Sequence, residues 1–425
     1  MSVAHTDLQF LPHAVFLHRV SDRPDGKGLH ARLGQGAFLA LRLIDQLAAD
    51  HEPVAHDVFQ YQCTATARFC DELKRAATEG AHLHGLVTSA AKAYQRGDVA
   101  ILTPELFAYA HYLEDRLSLE EALDVLGSLR RVIGERLTAP DAVALSLRAG
   151  RVNRKLSRFN DAEAAYGDAG ERAREVGDCY SELLGRIGIA NTAMGRGNLP
   201  EAQRHLTGIL RDAKRANQRD AEARAEHGLG VVLQHRGSPD AALVHMWRAF
   251  ELYEDEDSRM RALSDVGLMM LTLGDAIGAE RALSEVVRRG QGMQDTVANA
   301  TVELMHVASF RRDRVTFERY RARCEEMTAK MPPNILADYH LKAGIGDARF
   351  GRFRRADAAL GRALSVAEAA GLHEFVFKIE RIRGGLGACE AMTIGDEVGE
   401  PTPRVESEAL QEVSASLAEL VGEPV

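Results

Sequence analysis

A unit of about forty residues, repeated seven times, constrains this chain more than any other feature. In each copy a turn residue and a short polar linker lead to a small residue that opens an apolar stretch. The clearest copies run from Gly197 to Ala202, Gly237 to Ala242, Gly274 to Ala279 and Gly351 to Ala356. Weaker ones run from Leu117 to Ala122, Ser157 to Ala162 and Arg312 to Phe317. The closing residues lie 40, 40, 40, 37, 38 and 39 apart. Twelve residues before each stands a second column: Ala110, Gly150, Ala190, Gly230, Gly267, Met305 and Gly344. Across both columns 12 of 14 residues are Ala or Gly, which is what two antiparallel helices need in order to nest closely. Four residues after the closing residue come Leu126, Tyr166, Leu206, Met246, Leu283, Arg321 and Leu360. Seven after it come Leu129, Ala169, Ile209, Ala249, Val286, Cys324 and Ala363. These positions share one helix face, so each unit reads as helix A, a tight turn and helix B.

This column pattern resembles that of tetratricopeptide (TPR) repeats, over roughly residues 101–370. Two departures stand out. The period of 37–40 exceeds the 34 of the TPR consensus, as in the TPR-like arrays of some bacterial peptide-sensing regulators, and the consensus aromatics are mostly aliphatic here. The sixth unit, with Met305, Phe317 and Arg321, is degenerate. The resemblance implies an all-α chain, an α-α superhelix built as a right-handed solenoid of helix hairpins.

Outside the array, residues 1–30 hold Pro12, Pro24 and Gly26 and read as irregular or weakly helical. Apolar periodicity predicts helices over 33–50, 54–77 and 83–95, the last stopped by Gly97. Phe375, Phe377, Ile379 and Ile382 predict a helix capping the array. From Glu390 onward nine carboxylates face one base, Arg404, which is nearly the whole of the net charge of −9. The expected organisation is an N-terminal helical segment over 1–100, an array over 101–392, and an acidic, disordered tail over 393–425 with room for a short helix near Leu410 to Leu420.

Charge and composition exclude several functions. A neutral body with an acidic tail argues against nucleic-acid binding, which needs a basic excess, and no basic recognition helix follows Leu33. No apolar run is long enough to span a membrane. Five separated cysteines without a CxxC pair read as reduced thiols of a cytoplasmic protein. His82 and His84 lack further ligands at metal spacing, and Cys63 and Cys70 read as buried small hydrophobes. Neither Gly34 to Gly36 nor Gly384 to Gly387 carries phosphate-loop residues. Asp45 and Gln46 are faintly similar to the bundle of the response-regulator phosphatases, which carries a catalytic Gln ahead of a TPR array, but the surrounding residues do not support it. The expectation is a non-enzyme without cofactor or metal.

In a TPR array helix A lines the concave surface, and there the resemblance directs attention to His111, Arg151, Arg154, Asn191, Arg224, His227 and Arg261. Between 148 and 155 the chain carries four cations, Arg148, Arg151, Arg154 and Lys155, which repel one another unless an anion is near. These residues do not reproduce the carboxylate-clamp pattern of chaperone-binding TPR domains. The expected function is a protein- or peptide-binding scaffold whose groove takes a partner with acidic groups. The alternative is a peptide-responsive regulator without its own DNA-binding domain.

Overall fold

The computed structural model of the chain describes residues 11–21, 28–393 and 407–422. Pro24 and Gly26 of the stretch read as irregular or weakly helical, and the tail from 394 to 406, lie outside them. Among the described residues every regular element is helical, and no helix is long and apolar enough to cross a membrane. Two compact units divide the chain, residues 1–195 and 196–425.

The first unit opens with α1 (Ala14–Ser21), α2 (Leu29–Asp45), α3 (His56–Ala76) and α4 (Thr78–Arg96). Its hairpin helices are α5 (Thr103–Asp115), α6 (Leu119–Val132), α7 (Ala139–Lys155), α8 (Phe159–Glu175) and α9 (Cys179–Gly195). The second unit holds α10 (Leu199–Arg215), α11 (Arg219–His235), α12 (Pro239–Leu252), α13 (Glu256–Thr272) and α14 (Ala276–Arg289). It continues through α15 (Gln294–Phe310), α16 (Arg314–Met327), α17 (Pro333–Arg349), α18 (Phe353–Ala369), α19 (His373–Thr393) and α20 (Glu408–Val421). Helix A of each repeat is odd-numbered from α5 to α17, and helix B follows it.

The two small-residue columns meet inside each hairpin. A Cβ added at Gly230 would stand 2.7 Å from Met246 Cγ and 3.2 Å from the Ala242 carbonyl oxygen; at Gly267 it would meet Leu283 and Ala279, and at Gly344, Leu360 and Ala356. The upstream glycine therefore receives the side chain four residues past the anchor, while the anchor carbonyl lies against it. All seven turns use one backbone conformation. Gly197, Gly237, Gly274 and Gly351 have φ of 72–85°, and Leu117, Ser157 and Arg312 adopt 58–59° in the same place. This left-handed residue ends helix A and lets the next amide close back on it, as in Asp275 N–H to the Met270 carbonyl (2.8 Å). The sixth hairpin solves its packing differently. Phe317 replaces the small anchor, is fully buried among Met305 and Ala308 of α15, and its ring also fills the space left open by Gly346 of α17.

In the first unit, helices α2 to α4 share one apolar core with α5, α6 and α7, from Phe16 and Leu41 through Tyr109 to Val152. Helix α4 starts one residue after α3, earlier than its apolar periodicity suggests. Gly80 permits this, since a Cβ there would lie 2.2 Å from the Leu73 carbonyl carbon. Ala14–Ser21, read as irregular or weakly helical, forms α1.

The short helix allowed for near Leu410 to Leu420 forms as α20, so the expectation of disorder is corrected for residues 408–421. Leu410, Val413 and Leu417 form an apolar stripe at helical spacing, and all three are buried against α12 and α14. Ser407 caps α20 by accepting from Leu410 N–H (3.4 Å), and Ser414 Oγ bonds Asp275 Oδ2 at 3.0 Å. Glu408, Glu412 and Glu419 stay exposed, so acidity and docking coexist on opposite faces of one helix.

Candidate functional site

Helix α7 is fixed by its packed face, on which Leu145, Ala149 and Val152 are buried. Thr138 caps its start by accepting from Asp141 N–H. Its other face carries the four cations. Glu114 at the end of α5 meets two of them: Arg151 Nε lies 2.7 Å from Oε1, and Lys155 Nζ 2.9 Å from it. The Glu114 side chain is only 2 % exposed. Burial alone would raise its carboxyl, but the Arg151 charge and the Lys155 hydrogen bond outweigh this and hold it below the usual carboxylate range.

The repulsion within this stretch is thus answered partly from inside the protein. It is not answered fully. Arg148 lies over the Phe107 ring at 5.7 Å, and its Nη1 is buried without an acceptor. Burial, followed by the charge of Arg151, lowers its guanidinium from the ordinary value. The Arg154 charge acts on the Tyr166 hydroxyl, and its Nε is buried and unsatisfied. His111 is exposed and pairs with Asp115 one turn on, at 3.3 Å. Asn191 is half-buried on α9.

The remaining three residues gather in the second unit around Tyr253, whose phenol is pushed up by burial. Arg224 Nε donates to Asp220 Oδ2 (2.6 Å), and its guanidinium lies 6.0 Å from the Tyr253 ring centroid. His227 Nε2 is 2.7 Å from Asp265 Oδ2, and its Nδ1 is 3.3 Å from the Tyr253 hydroxyl. Arg261 pairs with Asp257. Each of these three side chains has a carboxylate one helical turn or one repeat away.

A relationship that single-helix reasoning misses connects consecutive A helices. Arg151 reaches Glu114, His227 reaches Asp265, Thr296 reaches Asp257, Lys342 reaches Glu303 and Arg349 reaches Ser309, over separations of 37 to 40 residues. The bridges recur at the repeat period because equivalent positions on adjacent A helices are neighbours. Opposite charges spaced by one period were the available signal. Beside the Lys342 bridge, burial and then the Arg349 charge push the His306 imidazole down to about 3.

Asp45 and Gln46 are engaged in the fold. Asp45 accepts from His13 and Arg131, and Gln46 Nε2 donates to Gln62 Oε1 at 2.8 Å. Cys63 and Cys70 are buried, and burial raises the Cys70 thiol to about 12. The His82 ring packs against Tyr112 at 5.0 Å. Among the described residues, no group of three or more His, Cys, Asp or Glu is placed to hold a metal ion.

No protein-family model matches the chain, and no curated protein matches its sequence. Solved structures do. The Rap conjugation gene regulator of the plasmid pLS20, in complex with the Phr* peptide, superposes with a TM-score of 0.53 at 11% identity, over 81% of this chain and 97% of that one. The aspartyl phosphate phosphatase F from Bacillus subtilis gives 0.48 at 12% identity over 86% and 96%, and the apo form of RapI gives 0.47 at 10% identity over 63% and 97%. The fold of this chain is the TPR-like helical-repeat fold of the Rap regulator.

Proposed function

We propose that the protein is a non-enzymatic scaffold that holds an acidic peptide or protein segment against the A helices of its hairpins. One observation carries this reading: four cations crowd one stretch of α7, and the two that meet the buried Glu114, Arg151 and Lys155, keep side chains 44 % and 33 % exposed. A carboxylate-bearing segment can reach these exposed donors through charge-assisted hydrogen bonds. Arg151, Arg154 and Asn191 form the polar centre of this face in the first unit. His111 lies at its edge, and Arg224, His227 and Arg261 form a comparable group in the second. Binding and orientation are all that these residues do in this reading, with no cofactor and no nucleic acid. The four free thiols among the described residues fit a cytoplasmic setting.

The test is fluorescence anisotropy against an array of acidic peptides. Arg151 bridges the buried Glu114 and Arg154 is half-buried, so both are exchanged for Gln, which keeps an amide donor at each place; the helical signal should hold and binding should be lost. Unchanged affinity in the double variant would show that the stripe is only a solvated surface.

A second reading is a peptide-responsive regulator without its own DNA-binding domain. It is favoured by the Rap regulator, a gene regulator bound to a peptide, with which this chain shares its fold. The two readings separate on shape. A regulator changes its X-ray scattering profile when peptide binds, and a passive scaffold does not.

A further inference from the structure

Two buried ion clusters converge on the short helix α1. His13, the residue before it, uses both ring nitrogens: Nε2 lies 2.9 Å from Asp45 Oδ2 of α2, and Nδ1 lies 2.5 Å from Asp124 Oδ2 of α6. Two turns on, Arg19 reaches Glu79 Oε1 of α4 at 2.8 Å and pairs with Glu121 of α6. Each cation thus bridges one carboxylate from the N-terminal helices and one from the first repeat hairpin. Between them Phe16 is fully buried and stacks on Tyr109 of α5 at 6.3 Å. The Tyr109 hydroxyl donates to Glu79 Oε1 at 2.8 Å. The seat is shaped for close approach, because a Cβ at Gly34 of α2 would stand 2.5 Å from the Phe16 carbonyl oxygen and 2.9 Å from Arg19 Cβ.

The chemistry of the two cations differs. Carboxylate oxygens only accept, so both His13 bonds exist only while the ring carries hydrogen on both nitrogens and is therefore charged. Arg19 keeps its proton throughout. His13 is also held with φ of 66°, a left-handed backbone that a residue with a Cβ seldom adopts.

We propose that α1 is a releasable clasp, which locks the N-terminal helices to the first repeat hairpin while His13 is protonated and lets go as the imidazole loses its proton. The groups facing His13 are Asp45 of α2 and Asp124 of α6, with Arg131 of α6 bonded to Asp45 at 2.6 Å. Along α1 itself stand His18 and Arg19, the latter with Glu79 and Glu121. Burial opposes the charge on His13, but hydrogen bonds and charges from Asp124 and Asp45 outweigh it and raise the imidazole above 6.5. The sign follows. The clasp is fully held below 6.5 and is lost as pH rises through the raised folded value. Release is therefore alkaline, whereas a buried neutral histidine opens a fold on the acid side. Arg19 and the buried Phe16 then remain on the helix, and neither Phe16 nor Gly34 titrates.

Hydrogen exchange of the α1 amides in the full chain tests this, read against pH and corrected for intrinsic rates. Each unit by which folded His13 titrates above 6.5 changes the opening constant tenfold. Protection of residues 14–21 should then fall between about pH 6 and about pH 9, while that of α7 holds. His13→Gln should exchange quickly at both values with no step between them. Gly34→Leu, which blocks the seat and leaves every charge in place, should do the same. An unchanged α1 protection across the range, or an unaltered step in His13→Gln, would overturn the proposal. If a variant fails to fold, the wild-type ring signal of His13 and the α1 amide signals can be followed together by NMR. Coincident midpoints sustain the clasp, and separate midpoints refute it.

Discussion

Gly346 of α17 is the socket for the Phe317 ring of α16: a Cβ at residue 346 would lie 2.2 Å from the ring's Cε2. The degenerate sixth hairpin thereby packs its bulky anchor partly against the next helix A. Gly346→Ala should destabilise the second unit by about 1–3 kcal/mol through overpacking. Combining it with Phe317→Leu should recover part of the loss, since the two residues compete for one volume. Thermal unfolding of the two single variants and the double checks this; strictly additive losses would mean that the residues do not share the space.

Glu114 makes a pH-dependent contribution to the first unit. Its folded carboxyl titrates below the ordinary 4.5, so its stabilisation is present above that value and is lost as pH falls through the depressed one. Glu114→Gln should lower the melting temperature at neutral pH, and the difference from wild type should shrink on acidification below about pH 4. A difference that is constant with pH would show that the Arg151 and Lys155 bridges contribute nothing.

Ser157 holds the left-handed turn of the second repeat with φ of 58° and is exposed. Glycine reaches that conformation without the Cβ clash, so Ser157→Gly should be neutral to stabilising, by up to about 1 kcal/mol. Chemical denaturation measures it. Ser157→Val, β-branched at the same φ, should move the midpoint the other way.

The buried stripe of α20 is tested by Leu417→Glu. A charge at a fully buried position should detach the helix and uncover apolar surface on α12 and α14. The melting temperature of the second unit should drop by roughly 2–6 °C, and a hydrophobic dye should bind where it did not before. An unaltered melting curve would place α20 among dispensable appendages.

The hairpins are legible in the sequence because one physical requirement, close helix approach, recurs at a fixed spacing. Gly230 and Ala242 declare each other twelve residues apart, and five further copies repeat the statement. His13 has no such echo. Its partners lie 32 and 111 residues away, and nothing local marks it as ionic or buried. Leu410, Val413 and Leu417 do announce a helix, but their receiving surface is set by the spacing of α12 and α14, which no single repeat contains. The site lies between these cases. Arg151 and Arg154 stand out by periodicity, whereas the role of Glu114 appears only when charges are compared across one full repeat.

Helix α20 also changes how the second unit comes apart. In an open stack each hairpin touches only its neighbours, so unravelling starts at an end and passes inward. Here Ser414 is bonded to Asp275, 139 residues earlier, and the chain between them forms a closed circuit. Tension applied at Val421 is borne by α12 and α14 before it reaches α19. Fraying of α17 to α19 releases a loop whose ends stay joined and gains less entropy than a free terminus would. The unit is laced shut, and pulling on its C-terminal helix should produce one abrupt rupture ahead of any stepwise peeling.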